Sequence, residues 1–253
     1  FRSTRLISIT HVPTHGGLVN PAADIGRVAK DHGILYLLDA CQSVGQLDVD
    51  VTAIGCDMLS ATGRKFLRGP RGTGFLYVRR ELANRLDPVF IDLHAAEWTD
   101  EDNYVLAEGA RRFENWECCY AGKLGLAAAM SYARSIGLKR IEAQVKALAA
   151  DLRSRLSAIP GVTLTDTGAE KSAIVTFSKD NLSAEHVHRL LRSQSINVSV
   201  SSGSGARFDL LQRGFSHVIR ASVHYYNTEA ELDLFIAKLA DLHSALASSR
   251  PRP

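Results

Sequence analysis

Apolar positions along this chain follow two rhythms, and the change from one to the other marks out its elements. Ile7 to Val12 reads as a strand. Ile34 to Asp39 is a continuous apolar run ending in an acid, as expected of a strand covered on both faces in a parallel sheet. Between them, Asn20-Pro21 opens a helix from Pro21 to His32, with Gly33 after its end. A short helical turn within Asp48 to Ile54 follows, then short strands at Met58 to Thr62 and Gly74 to Val78, and a short helix from Arg80 to about Arg85. This alternation predicts an α/β layer whose binding crevice lies at the carboxyl ends of the strands, where Asp39 falls.

The rhythm then breaks. Asp87 to Gly109 is mixed, carries Trp98 and the acidic run Asp100-Glu101-Asp102, and reads as an irregular, solvated connection that could also hold substrate specificity. Leu124 to Ile136 and Leu138 to Ile159 have helical spacing; Ile141, Val145, Leu148, Leu152 and Leu156 share one face and are core positions. Beyond the Pro160-Gly161 turn come strands Val162 to Leu164 and Ala173 to Phe177, helix Ala184 to Gln194, strands Ile196 to Val200 and Val218 to Val223, and a helix from Thr228 to about Ala247. Thr228 and Glu231 have capping-box spacing. Ser248 to Pro253 reads as a frayed tail. The expected organisation is a larger domain over residues 1–110, connecting helices over 111–159 and a smaller α/β domain over 160–253.

Composition narrows the function classes. The 253 residues are 45% hydrophobic, enough for a sizeable core. Thirty basic against 27 acidic residues leave a net charge of +3, too small to argue for nucleic acid or a membrane surface. No apolar run approaches the roughly 20 residues of a membrane span. Cys41, Cys56, Cys118 and Cys119 have neither CxxC nor zinc spacing, so we expect no metal site, no disulfide framework and a cytoplasmic location. The chain opens almost directly into a strand with no initiator methionine, which reads as the later part of a longer protein.

The chemistry concentrates in two clusters. Lys65 sits in the glycine- and arginine-rich turn Ala61-Thr62-Gly63-Arg64-Lys65-Phe66-Leu67-Arg68-Gly69-Pro70-Arg71-Gly72. A lysine in such a turn can serve as a nucleophilic amine for a Schiff base, although a basic surface hairpin would read the same way. Thr62 offers a hydroxyl and Arg64 a fork suited to phosphate. Asp39 is costly to bury unless partnered; it could cap a helix, join a surface ion pair or hold a protonated pyridine nitrogen. Gln42, on the turn after it, could donate to a phenolate oxygen. An amine and an acid so placed are what pyridoxal 5'-phosphate (PLP) chemistry needs from a protein.

Together these stretches resemble a known family. His11-Val12-Pro13, Gly17-Leu18-Val19-Asn20-Pro21, Asp39-Ala40-Cys41-Gln42, Thr62-Gly63-Arg64-Lys65, Gly69-Pro70-Arg71-Gly72-Thr73-Gly74, Arg112-Phe113-Glu114 and Ile219-Arg220-Ala221-Ser222-Val223-His224-Tyr225-Tyr226-Asn227-Thr228 are similar to class V aminotransferases, which are fold type I PLP enzymes. That family includes cysteine desulfurases, selenocysteine lyases, isopenicillin N epimerase-like proteins and the carbon–sulfur lyases of ergothioneine synthesis. The resemblance implies part of a fold type I large domain with a mostly parallel sheet, plus a smaller C-terminal α/β domain. It implies that Lys65 carries PLP and shuttles a proton, and that Asp39 partners the ring nitrogen and Gln42 the phenolate oxygen. Thr62 and Arg64 would contact phosphate, and Arg220 the α-carboxylate of an amino-acid substrate. A homodimer is implied as well.

Three departures from the family pattern matter. Arg64 stands where relatives commonly carry a histidine. The loop Ser199 to Arg207 lacks the cysteine that persulfide-forming desulfurases place there. No candidate is present for the histidine that stacks on the pyridine ring, since His11 and His15 lie in the wrong place. A chain lacking that front part is expected to bind PLP poorly by itself. The expected activity is therefore carbon–sulfur β-elimination, or a related epimerase or transaminase reaction. The rivals are a desulfurase using Cys118 or Cys119, and a non-catalytic PLP-fold module serving binding or assembly.

Overall fold

The computed structural model describes residues 3–248, which divide into two compact units. The first comprises the chain up to His11, Pro21–Val44 and Val49–Ser135; the second comprises Val12–Asn20, Gly45–Asp48 and the chain from Ile136 onward.

In the first unit, β1 (Leu6–Thr10), β2 (Leu35–Asp39), β3 (Met58–Thr62) and β4 (Gly74–Val78) form one sheet in that order. The first three strands are parallel, with α1 (Ala22–Asp31) and the short α2 (Val51–Ile54) in the connections; β4 returns antiparallel. The apolar runs fill this core, since Tyr36, Leu38, Leu59 and Ala61 are buried among Ala22, Ala29 and Ile54. Gly26 lets α1 lie against α2, because a Cβ there would overlap the carbonyl oxygen of Ile54. After α3 (Arg80–Ala83) come β5 (Ala96–Trp98), β6 (Tyr104–Leu106) and α4 (Tyr120–Ile136).

The second unit holds α5 (Leu138–Ser157), β7 (Val162–Leu164), β8 (Ile174–Lys179), α6 (Ala184–Ser193), β9 (Ser199–Ser202), β10 (His217–Ser222) and α7 (Glu229–Ser248). Its strands run β7-β8-β10-β9, all antiparallel. Ile141, Val145, Leu148, Leu152 and Leu156 are all buried on α5, as their spacing predicted. The Thr228–Glu231 capping box also forms: Glu231 N–H donates to Thr228 Oγ1 at 3.3 Å, and Thr228 N–H to Glu231 Oε2 at 2.9 Å. Such a cap contributes about 1 kcal/mol. The expected tail after Ser248 lies outside the described residues.

Three local expectations need correction. The stretch read as irregular contains the β5–β6 hairpin, with Trp98 directly opposite Tyr104. Its acidic run is the turn: Asp100 Oδ1 accepts from Asp102 N–H and Asn103 Nδ2, which closes the loop without any glycine signal. Helix α4 starts one turn earlier than its apolar spacing suggested, because Cys119 caps it by accepting the Gly122 N–H at Sγ (3.3 Å). The strand expected from Ile196 starts at Ser199. Residues before it finish α6 instead: Ser195 has φ 64°, and Ile196 N–H donates back to Leu191 O. The chain after β9 makes a tight 3₁₀ turn at Gly203–Gly205 and a wide π turn at Arg207–Leu211, neither of which has a clear sequence signature.

Candidate functional site

The carboxyl ends of the three parallel strands carry polar residues at one level. Thr10 pairs with Asp39, and Asp39 with Ser60, on strands that are otherwise largely apolar. Asp39 is fixed there by local bonds: Oδ1 accepts from Cys41 N–H at 3.0 Å, and Oδ2 from Thr10 Oγ1 at 3.3 Å. The chain then turns inward, and Gln42 is buried at 4% exposure on that turn.

Lys65 lies in the connection between β3 and β4. Gly63 N–H donates to Thr73 O at 2.9 Å, Gly69 N–H to Gly63 O at 2.7 Å and Arg68 N–H to Lys65 O at 2.9 Å, so the turn folds onto itself. Phe66 and Leu67 are buried, whereas Arg64 is exposed and Lys65 half-buried. Helix α4 packs directly on this turn. A Cβ at Gly63 would meet the Thr73 hydroxyl and Leu126 Cδ1, and one at Gly125 would come within 2.7 Å of Pro70 Cγ. The glycines therefore serve close packing that holds the lysine loop rigid. Thr62 Oγ1 donates to Thr73 O at a long 3.3 Å.

Cys41 shows that the two clusters meet. Its half-buried thiol is pushed up to about 11, first by burial, then by a hydrogen bond to Asp39 and that carboxylate's charge. Lys65's charge and a hydrogen bond from the Thr62 backbone oppose the rise. One sulfur atom thus senses the charges of Asp39 and Lys65 and the backbone of Thr62 at once, so the acid and the amine lie in one neighbourhood. Cys41 and Thr10 were not singled out from sequence. The motif Asp39-Ala40-Cys41-Gln42 held the signal for the first; only the strand register reveals the second.

This raised pKa has a measurable consequence. Near pH 8, roughly three units below it, almost no Cys41 is thiolate, and iodoacetamide should modify exposed Cys119 long before Cys41. Peptide mass spectrometry across a pH series checks this, with Cys41 labelling rising only as the pH climbs toward 11. Equal labelling of both thiols near neutrality would contradict the environment described.

Size does not locate the site. A cavity of about 490 Å³ lined by Ile34, Asp57 and Arg79 lies at the amino ends of the strands, away from Asp39. The opposite end is where α/β sheets bind ligands. A second cavity of about 350 Å³ is lined by Phe75, Phe113, Glu114, Cys118 and Lys123. There the Lys123 ammonium is hydrogen-bonded to the Cys118 thiol, which pushes the lysine pKa up. Among the described residues, no cluster of histidine, cysteine or carboxylate side chains suits a metal ion, and no helix is long and apolar enough to cross a membrane.

Arg220 belongs to the second unit, on β10. Its Nη1 donates to Thr14 O at 2.9 Å, while its Nε is buried and has no partner among the described residues. Burial lowers its pKa, with no neighbouring carboxylate offsetting that cost.

Known proteins share this architecture. The apo cysteine desulfurase of Thermococcus onnurineus superposes with a TM-score of 0.88 at 30% identity, over 94% of this chain and 60% of that one. The cystine C–S lyase C-DES, solved with its product cysteine persulfide, gives a TM-score of 0.81 at 27% identity, over 94% and 61%. A probable cysteine desulfurase of Methanothermobacter thermautotrophicus is 33% identical over 95% of this chain and 61% of its own length. One from Xylella fastidiosa is 35% identical over 96% and 58%. The chain thus spans about three fifths of the length of these relatives. The sequence model of the aminotransferase class-V family matches residues 2–235, and the chain belongs to that family.

Proposed function

We propose that this chain forms the lysine-bearing part of a PLP-dependent enzyme that breaks the carbon–sulfur bond of a sulfur-containing amino acid. The observation that carries the reading is the convergence of Asp39, Thr62 and Lys65 on the Cys41 thiol. Within the first unit the donor set fits the cofactor: an acid held by two hydrogen bonds, an amine on a turn that folds onto itself and a strand-end hydroxyl. When bound, PLP supplies the electron sink that lets an amino acid lose its α-proton.

In this reading Asp39 would keep the ring nitrogen protonated, and the buried Gln42 would donate to the phenolate oxygen. Thr62 and Arg64 would bind phosphate; Arg64 has the exposure and charge for that, but cannot pass a proton near neutrality. Lys65 would hold the aldehyde carbon and, once released by the substrate amine, take the α-proton. Arg220 would grip the substrate α-carboxylate through the part of its guanidinium that is not bonded to Thr14. The relatives named as cysteine desulfurases and as a cystine C–S lyase support carbon–sulfur cleavage over epimerisation or amino transfer.

A specific contact favours a second reading, persulfide-forming desulfuration. No cysteine lies in Ser199 to Arg207, but Cys118 is held against an ammonium group and could accept sulfur. The test is product analysis with L-cystine and L-cysteine on the full-length holoenzyme. Pyruvate and ammonia are expected. Alanine and sulfide instead, lost in Cys118→Ser or Cys119→Ser, would favour desulfuration. A PLP-loaded protein that turns over neither amino acid would sink both readings and leave a binding module.

A further inference from the structure

Four residues form one row across the sheet of the second unit. Thr165 N–H donates to Thr176 O at 2.8 Å just beyond the end of β7. Thr176 on β8 is the direct partner of Arg220 on β10, and Arg220 the direct partner of Ser199 on β9. Residues directly opposed in an antiparallel sheet project from the same face. Thr165, Thr176, Arg220 and Ser199 therefore stand side by side, about 4.8 Å apart from strand to strand. The positions alternating with them carry Phe177 and Ile219, both fully buried, and Phe177 packs edge-on against Phe235 of α7.

A covered sheet face is normally apolar, yet this row buries polar atoms. Thr176 is 0% exposed and Thr165 2% exposed. Neither hydroxyl has a hydrogen-bond partner among the described residues, and the same holds for Arg220 Nε. Buried polar atoms are costly without partners, so three in one row call for a missing one. The other side of the guanidinium is committed, through Nη1, to Thr14 O. The spacing suits water. A molecule bridging two neighbours spans about 5.6 Å, twice a hydrogen-bond length, and would find two or three polar partners here.

We infer that Thr176 is a positioning residue for Arg220: an ordered water linking its hydroxyl to Arg220 Nε, and relayed to Thr165, fixes the plane in which the guanidinium meets a ligand carboxylate. Thr176 is too buried to touch the ligand itself. The inference rests on the proposed reading in one respect, that Arg220 is the carboxylate anchor.

The test uses the full-length holoenzyme and two small amines, followed by the change in cofactor absorbance. Glycine carries an α-carboxylate and no β-substituent to eliminate; methylamine has no carboxylate. Thr176→Val should weaken glycine about tenfold and leave methylamine unchanged. Thr176→Ser should restore glycine. A high-resolution crystal structure should show water within hydrogen-bond reach of both Thr176 Oγ1 and Arg220 Nε. Unchanged glycine binding in Thr176→Val, equal weakening of both amines, or a dry gap in the density each overturns the inference. Arg220→Lys separates the two ideas. If it weakens glycine while Thr176→Val does not, the anchor stands and the role of Thr176 falls. If it leaves glycine binding unchanged, both fall.

Discussion

Lys65→Ala is expected to lose the cofactor's absorbance band near the visible edge, together with about 10³-fold or more of the activity. The physical case is local. The amine sits on a turn closed by the Gly63–Thr73 and Gly69–Gly63 backbone bonds and seated on α4, so it has little freedom to be replaced by a neighbour. Arg64 is adjacent in sequence, but a guanidinium stays charged and is no nucleophile. The fold should survive, because buried Phe66 and Leu67 anchor the turn and Lys65 is only half-buried. Far-ultraviolet circular dichroism should therefore match the parent. Lys65→Arg keeps the charge and should fail equally, which separates nucleophilicity from electrostatics. Wild-type turnover in either variant would remove Lys65 from the proposed chemistry.

Arg153→Ala should cost about 3–5 kcal/mol of stability, a large share of what a typical domain has. Arg153 projects from α5 toward Asp166 and the carbonyls of Ser172 and Ile174, all within the second unit. Its Nε donates to Asp166 Oδ2 at 2.6 Å, and its Nη2 to the carbonyl oxygens of Ser172 and Ile174 at 2.9 and 2.8 Å. The Asp166 side chain is fully buried and that of Arg153 is 11% exposed. Truncation would strand a buried carboxylate and two carbonyls. Little space is available for relief, because a Cβ on nearby Gly17 would already lie 2.5 Å from Asp166 Oδ2. Replacing both partners, as Arg153→Met with Asp166→Leu, should cost much less than the single change, since no charge is left unpaired. Urea unfolding of the three variants checks the order. A single-variant loss below about 1 kcal/mol would mean that the pair behaves like an exposed one.

Much of the candidate site was legible in the chain itself. Asp39 reads as a strand-end acid because five mostly apolar residues precede it. Lys65 reads as a turn lysine because Gly63, Gly69, Pro70 and Gly72 bracket it. Arg220 was legible only through the resemblance of the residues that follow it. Thr10 was missed, since a threonine ending an apolar run has no chemistry of its own until its neighbour in the sheet is known. The β5–β6 hairpin was missed because two three-residue strands are too short to show a period of two.

What the sequence determined on its own is local: which stretches extend, which coil, and where glycine and proline force the lysine turn. Backbone sterics and side-chain periodicity act over a few residues, so a single chain displays them directly. Tertiary structure alone decided which distant residues share an environment. The thiol of Cys41 senses both Asp39 and Lys65, Arg153 reaches Asp166, and Thr176 stands beside Arg220. Those meetings depend on strand order and register, which are fixed by burial summed over a whole unit, and no short segment carries that sum.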